Sequence, residues 1–199
     1  RDLHLSLRRQ RQMCIRDSTI VLISLDTFLG SKNTIYDGIP NYIKSDMDKN
    51  RFGSILVDKI ASSIIKSPSS RFFLDRIIYK GKILLLKDFV IPLSSDEIKI
   101  GYSNEQINWV KQNEEYIWKY FIENELLFKT DDDLIDRFII PAPFSKFYLE
   151  IDNESPGKIG QWIGWQILRS FRKKNPTLKI SEILKLSYEE IFKEANYKP

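Results

Sequence analysis

Any chemistry in residues 19–199 has to rest on carboxylates, lysines, tyrosines and hydroxyls. The chain's single His and single Cys, His4 and Cys14, both fall in the first eighteen positions. Ser-His-Asp and Cys-His nucleophilic catalysis are therefore out of reach of that region. So are HExxH zinc sites and nearly every structural zinc site. One Cys also excludes a disulfide scaffold. Three groups of side chains remain to be weighed. Glu150, Asp152 and Glu154 could include a carboxylate pair for hydrolysis, although nothing in the sequence sets them across a cleft. Asp131-Asp132-Asp133 offers oxygen ligands to Ca²⁺ but lacks the alternating spacing and turn glycine of an EF-hand loop. Acids at the positive end of a helix dipole account for it better. Arg172, Lys173 and Lys174 close a helix, where cations suit the negative end. No catalytic residue, metal ligand or cofactor is assigned.

The most unusual stretch is Glu154–Arg169, ESPGKIGQWIGWQILR. Gly157, Gly160 and Gly164 recur at helical spacing and share one face. Each costs about 1 kcal/mol against Ala inside a helix, so close approach of another helix or backbone is expected there. Trp162, Trp165 and Arg169 share a neighbouring face, and an Arg one turn beyond a Trp can stack on it. Together with Gln166 these residues form either a tightly packed core face or a surface that docks a partner. Gln161, Gln166 and Arg169 interrupt the run too often for a membrane helix-dimer motif.

The elements that would position these groups follow from periodicity and breakers. Thr19–Leu25 is a β-branched apolar run read as a buried strand. Asp26–Asn50 is loop-rich, with Tyr36, Ile39 and Tyr42 holding it to the core. Phe52, Ile55, Leu56, Ile60 and Ile64 predict an amphipathic helix over about 52–66, broken by Ser67-Pro68-Ser69-Ser70. A second helix begins near Phe73 and stops before Pro92. It is apolar on most sides, which places it centrally. Ser103 to Gln106 fits a capping box for a helix reaching about Phe128. Another starts at Thr130-Asp131 and stops before Pro141-Ala142-Pro143. Phe147–Ile151 alternates weakly, as a short strand or extended segment. The Gly/Trp helix runs to about Asn175 and stops at Pro176. Ser187 to Glu190 is a second capping box for a last short helix. No repeat or linker divides the chain, so one mainly α domain with a small β element is expected over 19–199.

Length and composition support a packed domain. The 199 residues are 42% hydrophobic and 13% aromatic, enough for one core and too apolar for a disordered chain. No apolar run reaches the roughly 18 residues that span a bilayer. The formal charge is +4, from 31 Lys+Arg and 27 Asp+Glu. Residues 1–18 supply +3 of it, through five Arg and two Asp, which leaves +1 for the remainder. Every basic residue in 1–18 is Arg, whereas the rest favours Lys. Met13-Cys14-Ile15-Arg16-Asp17-Ser18 resembles the translated end of a sequencing adapter. Residues 1–18 are accordingly read as non-native and unstructured. A basic arm for nucleic acid would look broadly similar, but without 1–18 the charge case for a nucleic-acid partner disappears. A lipoprotein signal ending at Cys14 fails, because no apolar h-region precedes it.

The run from Glu154-Ser155-Pro156-Gly157 through Trp162-Ile163-Gly164-Trp165-Gln166-Ile167 closely resembles the gliding motility-associated lipoprotein GldB family of Bacteroidota. Leu25-Asp26-x-Phe28-Leu29-Gly30, Tyr79-x-Gly81-Lys82-Ile83-Leu84, Lys99-Ile100-Gly101-Tyr102, Pro141-Ala142-Pro143-Phe144, Glu190-Ile191-Phe192 and Tyr197-Lys198-Pro199 extend the resemblance colinearly. It implies a lipid-anchored envelope protein facing the periplasm, working with other gliding or secretion proteins and without known enzymatic activity. Its signal peptide and lipidated cysteine would precede this chain. The family is distantly similar to zinc peptidases that carry HExxH on a helix corresponding to about 52–66. Here that helix offers Asp58, Lys59 and Ser62, and Lys80 stands before Gly81. The resemblance thus implies a zincin-like helical domain lacking the metal site, a pseudo-peptidase used as a binding or scaffold module. A degenerate or carboxylate-based hydrolase is the alternative.

Overall fold

A computed structural model describes residues 14–17, 20–22 and 24–199. The β element is one antiparallel pair, β1 (Cys14–Asp17) and β2 (Ile20–Leu22), with an irregularity between Ile15 and Asp17. The expected strand is therefore present at Ile20–Leu22. It is shorter than expected, because Leu25 already opens a 3-10 turn; Thr19 and Ile23 lie outside the described residues. Within the segment read as non-native, the structure describes only 14–17, and these are strand.

Residues 24–51 form a strap of short turns and one α-helical turn, α1 (Asn41–Lys44). Tyr36 anchors it. Its ring is fully buried, its hydroxyl donates to the Asp26 carbonyl at 2.5 Å, and Leu29 N–H donates back to it at 3.1 Å. Ile39 and Tyr42 are half-buried beside it.

The helical body is α2 (Phe52–Ile64), α3 (Phe73–Val90), α4 (Asp96–Ile100), α5 (Asn104–Gln112), α6 (Glu114–Glu123), α7 (Asp133–Phe138), α8 (Ile159–Lys174), α9 (Ile180–Ile183) and α10 (Tyr188–Ala195). The capping boxes at Ser103/Gln106 and Ser187/Glu190 both form as their spacing requires. The long helix expected from Ser103 to Phe128 is instead two helices and a 3-10 turn. Asn113 interrupts it at φ −106°, ψ 8°, and its side chain donates to the Trp109 carbonyl at 2.8 Å. That bond competes with the main-chain ladder. Glu125, at φ +55°, then turns the chain away. Phe147–Ile151 is not a strand. Tyr148 sits at φ +62° and a 3-10 turn occupies Glu150–Glu154.

The central position expected for α3 holds. Its most extensive packing is along α8, and nearly every residue from Phe73 to Lys87 is buried or half-buried. A smaller core cluster joins Val57 and Ala61 of α2, and Ile65 just beyond it, to Ile83 and Leu86 of α3. α10 covers another side of α8. The α3–α8 contact is backbone on backbone. A Cβ added to Gly164 would collide with the Ile77 carbonyl, lying 2.6 Å from its carbon, and one on Gly81 would lie 2.5 Å from the Gly164 carbonyl carbon. Two glycines facing each other thus let two helices touch, and the dispersion and apolar burial gained along the crossing offset their poor helix propensity.

Candidate functional site

The Gly/Trp stretch divides into a turn and a helix face. Gly160 and Gly164 lie in α8, but Gly157 precedes it, which corrects the expectation of three glycines on one helical face. Lys158 takes the left-handed conformation at φ +63° and starts the helix from there. Gly157 has its own reason to be small, since a Cβ there would meet the Ala142 carbonyl. The turn is locked to the loop before it. Ser155 Oγ donates to the Asp152 carbonyl at 2.8 Å or the Ser145 carbonyl at 3.1 Å, and Ser145 Oγ donates to the Pro156 carbonyl at 2.7 Å.

Within α8, Trp162 and Trp165 are both buried and meet edge to face, centroids 5.8 Å apart. The Trp162 indole N–H donates to Glu114 at 2.9 Å, and the same carboxylate accepts from the Tyr197 hydroxyl at 2.6 Å. The Trp165 indole N–H donates to Asp88 at 2.9 Å. Arg169 stacks on the Trp165 ring at 3.7 Å, as its spacing predicts. Its guanidinium binds two carboxylates: Asp88 at 2.9 Å through Nε and Nη2, and Asp96 at 2.8 and 2.7 Å through Nη1 and Nη2. Lys99 completes the network, 2.9 Å from Asp88. The hydrogen bonds from Arg169 hold the Asp96 carboxyl below the usual aspartate range. Burial works against the Arg169 charge, but its bonds to Asp96 and Asp88 outweigh that, and its net shift is upward. Two cations and two carboxylates close on one another, so the cluster keeps little spare charge for a ligand.

Of the seven residues singled out on this stretch, Gly157, Gly160, Trp162, Gly164 and Trp165 are buried, and Gln166 and Arg169 are half-buried. The partners Asp88, Asp96 and Glu114 were not foreseen. One signal was available: Asp88 sits in the last turn of α3, where an acid opposes the helix dipole and needs a cation.

The carboxylate candidates do not assemble. Glu150 and Glu154 are exposed. Asp152 accepts from the backbone N–H groups of Phe147 at 2.8 Å and Tyr148 at 2.9 Å, which stabilises the left-handed Tyr148. Asp131 to Asp133 open α7 as expected: Asp131 accepts from Asp133 N–H at 3.0 Å, and Asp132 pairs with Arg71 at 3.0 Å. No group of three potential metal ligands occurs among the described residues. Across the α2–α3 contact, Asp58 pairs with the buried Lys87 at 2.7 Å. Burial lowers the Lys80 pKa, with Asp58 partly opposing it. Arg172 donates to the Leu178 carbonyl in the turn after α8 at 2.7 Å, and Lys174 to the carbonyl of Ala195, the last residue of α10, at 2.6 Å. Among the described residues no helix is long and apolar enough to cross a membrane. A shallow groove of about 290 Å³ opens between α5, α6 and the Phe147–Leu149 turn, walled by Trp109, Tyr116, Tyr120 and Phe147.

The family model described as gliding motility protein GldB matches residues 4–199. No curated protein and no solved structure matches the chain.

Proposed function

The chain belongs to the gliding motility protein GldB family, and from that premise we propose that it serves the gliding machinery of the cell envelope as a non-enzymatic binding or scaffold module. One observation carries the non-enzymatic half. The polar groups around the Gly/Trp stretch are engaged within the chain: Arg169 with Asp88 and Asp96, Glu114 with Trp162 and Tyr197, Asp152 with backbone amides. Groups so engaged rigidify a body, and none of those named is free to act as acid, base or nucleophile. The partners are other gliding or secretion proteins, and the membrane is reached through a lipid anchor. No nucleic acid takes part.

The helical body reads as zincin-like with its metal site replaced. Support comes from the α2–α3 face, where Lys87 pairs with Asp58 and Lys80 lies close enough to feel the same carboxylate. Ammonium groups there oppose a divalent cation by direct repulsion. Elemental analysis of the purified chain tests this reading. It predicts no stoichiometric transition metal; zinc at one equivalent would overturn it.

A further inference from the structure

The groove between α5, α6 and the Phe147–Leu149 turn is fixed by hydrogen bonds behind its walls. The Tyr120 hydroxyl donates to the Phe147 carbonyl at 2.8 Å and accepts from Arg137 Nη2 at 3.3 Å. Arg137 Nε donates to the Lys146 carbonyl at 2.8 Å, and Asp152 holds the Phe147 and Tyr148 N–H groups. The groove is therefore preformed, and an occupant need not order it. Its mouth is apolar and open to water: Tyr116 is 73% exposed and Leu149 55%. Apolar surface continues over α6. On the other flank of that helix, Ile122 and Phe128 stand exposed beside a second hollow of about 480 Å³. Exposed aromatic and aliphatic groups on both flanks mark a surface that a partner's apolar side chains would cover.

Two independent features select a positive charge for that partner. The first is the ring set. Trp109, Tyr116, Tyr120 and Phe147 line the groove, and aromatic faces attract ammonium and guanidinium groups. Arg137 already lies against the Tyr148 and Phe138 rings, at 4.4 and 4.8 Å. The second is the surrounding charge. Residues 114–154 hold eleven Asp+Glu against four Lys+Arg, a net of −7, where 19–199 as a whole carries +1. Nine of the eleven acids are exposed. Glu123 lines the groove itself, and Glu115 and Glu150 adjoin lining residues in the chain. Among the described residues, Lys119 and Lys146 are the cations in the lining or next to it in the chain. Lys119 lies 3.7 Å from Glu123 and both are largely exposed, so it moves aside at little cost. Arg137, behind the wall, is committed to Asp133 and the Lys146 carbonyl.

We propose that this groove docks a basic segment of a partner protein, one that intersperses Lys or Arg with apolar side chains. The proposal rests on reading the chain as a binding module. The segment's apolar groups cover Tyr116, Leu149 and Ile122, and its cations meet the ring faces and the carboxylates of Glu123 and Glu150. A small amine would occupy the ring-lined floor but leave Ile122 and Phe128 bare across α6. The extent of the exposed apolar surface therefore favours a polypeptide. Acidic segments are repelled from the same face, which gives it selectivity.

Panning a phage-displayed library of random linear peptides against the full chain tests this. Enrichment of sequences that combine Lys or Arg with aliphatic or aromatic residues is expected. The affinity of an enriched peptide, made synthetically, should fall about tenfold or more in Tyr116→Ala and roughly tenfold at low salt in Glu123→Lys. It should also weaken as salt rises from about 50 to 500 mM. Both side chains are largely exposed, and an unchanged urea midpoint confirms that the variants fold. Should Tyr116→Ala fail to fold, Leu149→Ala takes its place. Asp37→Lys, an equal charge change on the exposed strap, should leave binding within about twofold. No enrichment, enrichment of acidic peptides, or binding indifferent to both groove variants overturns the proposal. So does self-association of the chain that Tyr116→Ala abolishes, which would assign the groove to a second copy. The two readings fail separately: absent peptide binding, with gliding still lost on deletion of the gene, would sink the groove's assignment alone.

Discussion

Replacing Gly164 with Ala is the sharpest perturbation of the fold. The new methyl would lie inside contact distance of the Ile77 carbonyl, 2.6 Å from its carbon, and 3.4 Å from Gly81 N. These are backbone atoms in the middle of two long helices, so no side-chain rotation relieves the clash. α3 and α8 must move apart by about an ångström or more to restore ordinary contact. Separating them loosens Ile77, Ile163, Ile167 and Leu168, all essentially unexposed. Overpacking a core typically costs 1–3 kcal/mol and sometimes more, while Gly to Ala in a helix returns about 1 kcal/mol. Because this clash is between main-chain atoms that no rotamer change can relieve, the gross cost is expected above that range, at about 3–5 kcal/mol, which leaves a net loss of about 2–4 kcal/mol, a large share of the roughly 5–15 kcal/mol available to a domain. Gly53 supplies the control. It lies in α2, and a Cβ there meets only Ile91 Cγ2, at 4.0 Å. Gly53→Ala is expected to stabilise by up to about 1 kcal/mol. Urea denaturation of both variants reads the two signs. A Gly164→Ala variant within about 0.5 kcal/mol of wild type would refute backbone contact between α3 and α8.

Two further perturbations address the charged network. Arg169→Met leaves Asp88 and Asp96 without their main cation and should cost about 2–4 kcal/mol at neutral pH, less than for a wholly buried pair because the Arg169 side chain is 30% exposed. Its pH profile is the more specific readout. Asp96 is held below its ordinary value, so its contribution is present at neutral pH and lost as pH falls below about 3.8; that acid-side loss should shrink in Arg169→Met. Trp165→Phe keeps a buried ring but removes the 2.9 Å bond to Asp88, and should cost about 1–2 kcal/mol. Thermal or urea melts that leave Trp165→Phe unchanged would mean the indole N–H contributes nothing.

Much of the helical skeleton was legible because its signals are local. The apolar spacing of Phe52 to Ile64, the Ser103/Gln106 and Ser187/Glu190 caps and the stop at Pro92 each depend on residues within a turn or two. The stacking of Arg169 on Trp165 was legible for the same reason. What escaped was set by distant partners or single conformations. Asn113 breaks a periodic run by bonding back to Trp109. Tyr148 adopts a positive φ where the Asp152 carboxylate holds its N–H, and Lys158 adopts one at the turn into α8. Gly157 looked like a helix position because its spacing from Gly160 and Gly164 is helical, yet its smallness serves Ala142, fifteen residues earlier in the chain. Asp88 and Asp96 meet Arg169 across 81 and 73 residues, a separation at which periodicity carries no information.

The functional account rests on the chain's place in a gliding motility family. Its most direct test is deletion of the full-length gene in its host, scored for colony spreading, with the intact gene returned on a plasmid. The account predicts loss of spreading and its restoration by the intact gene. Normal spreading in the deletion strain would contradict it.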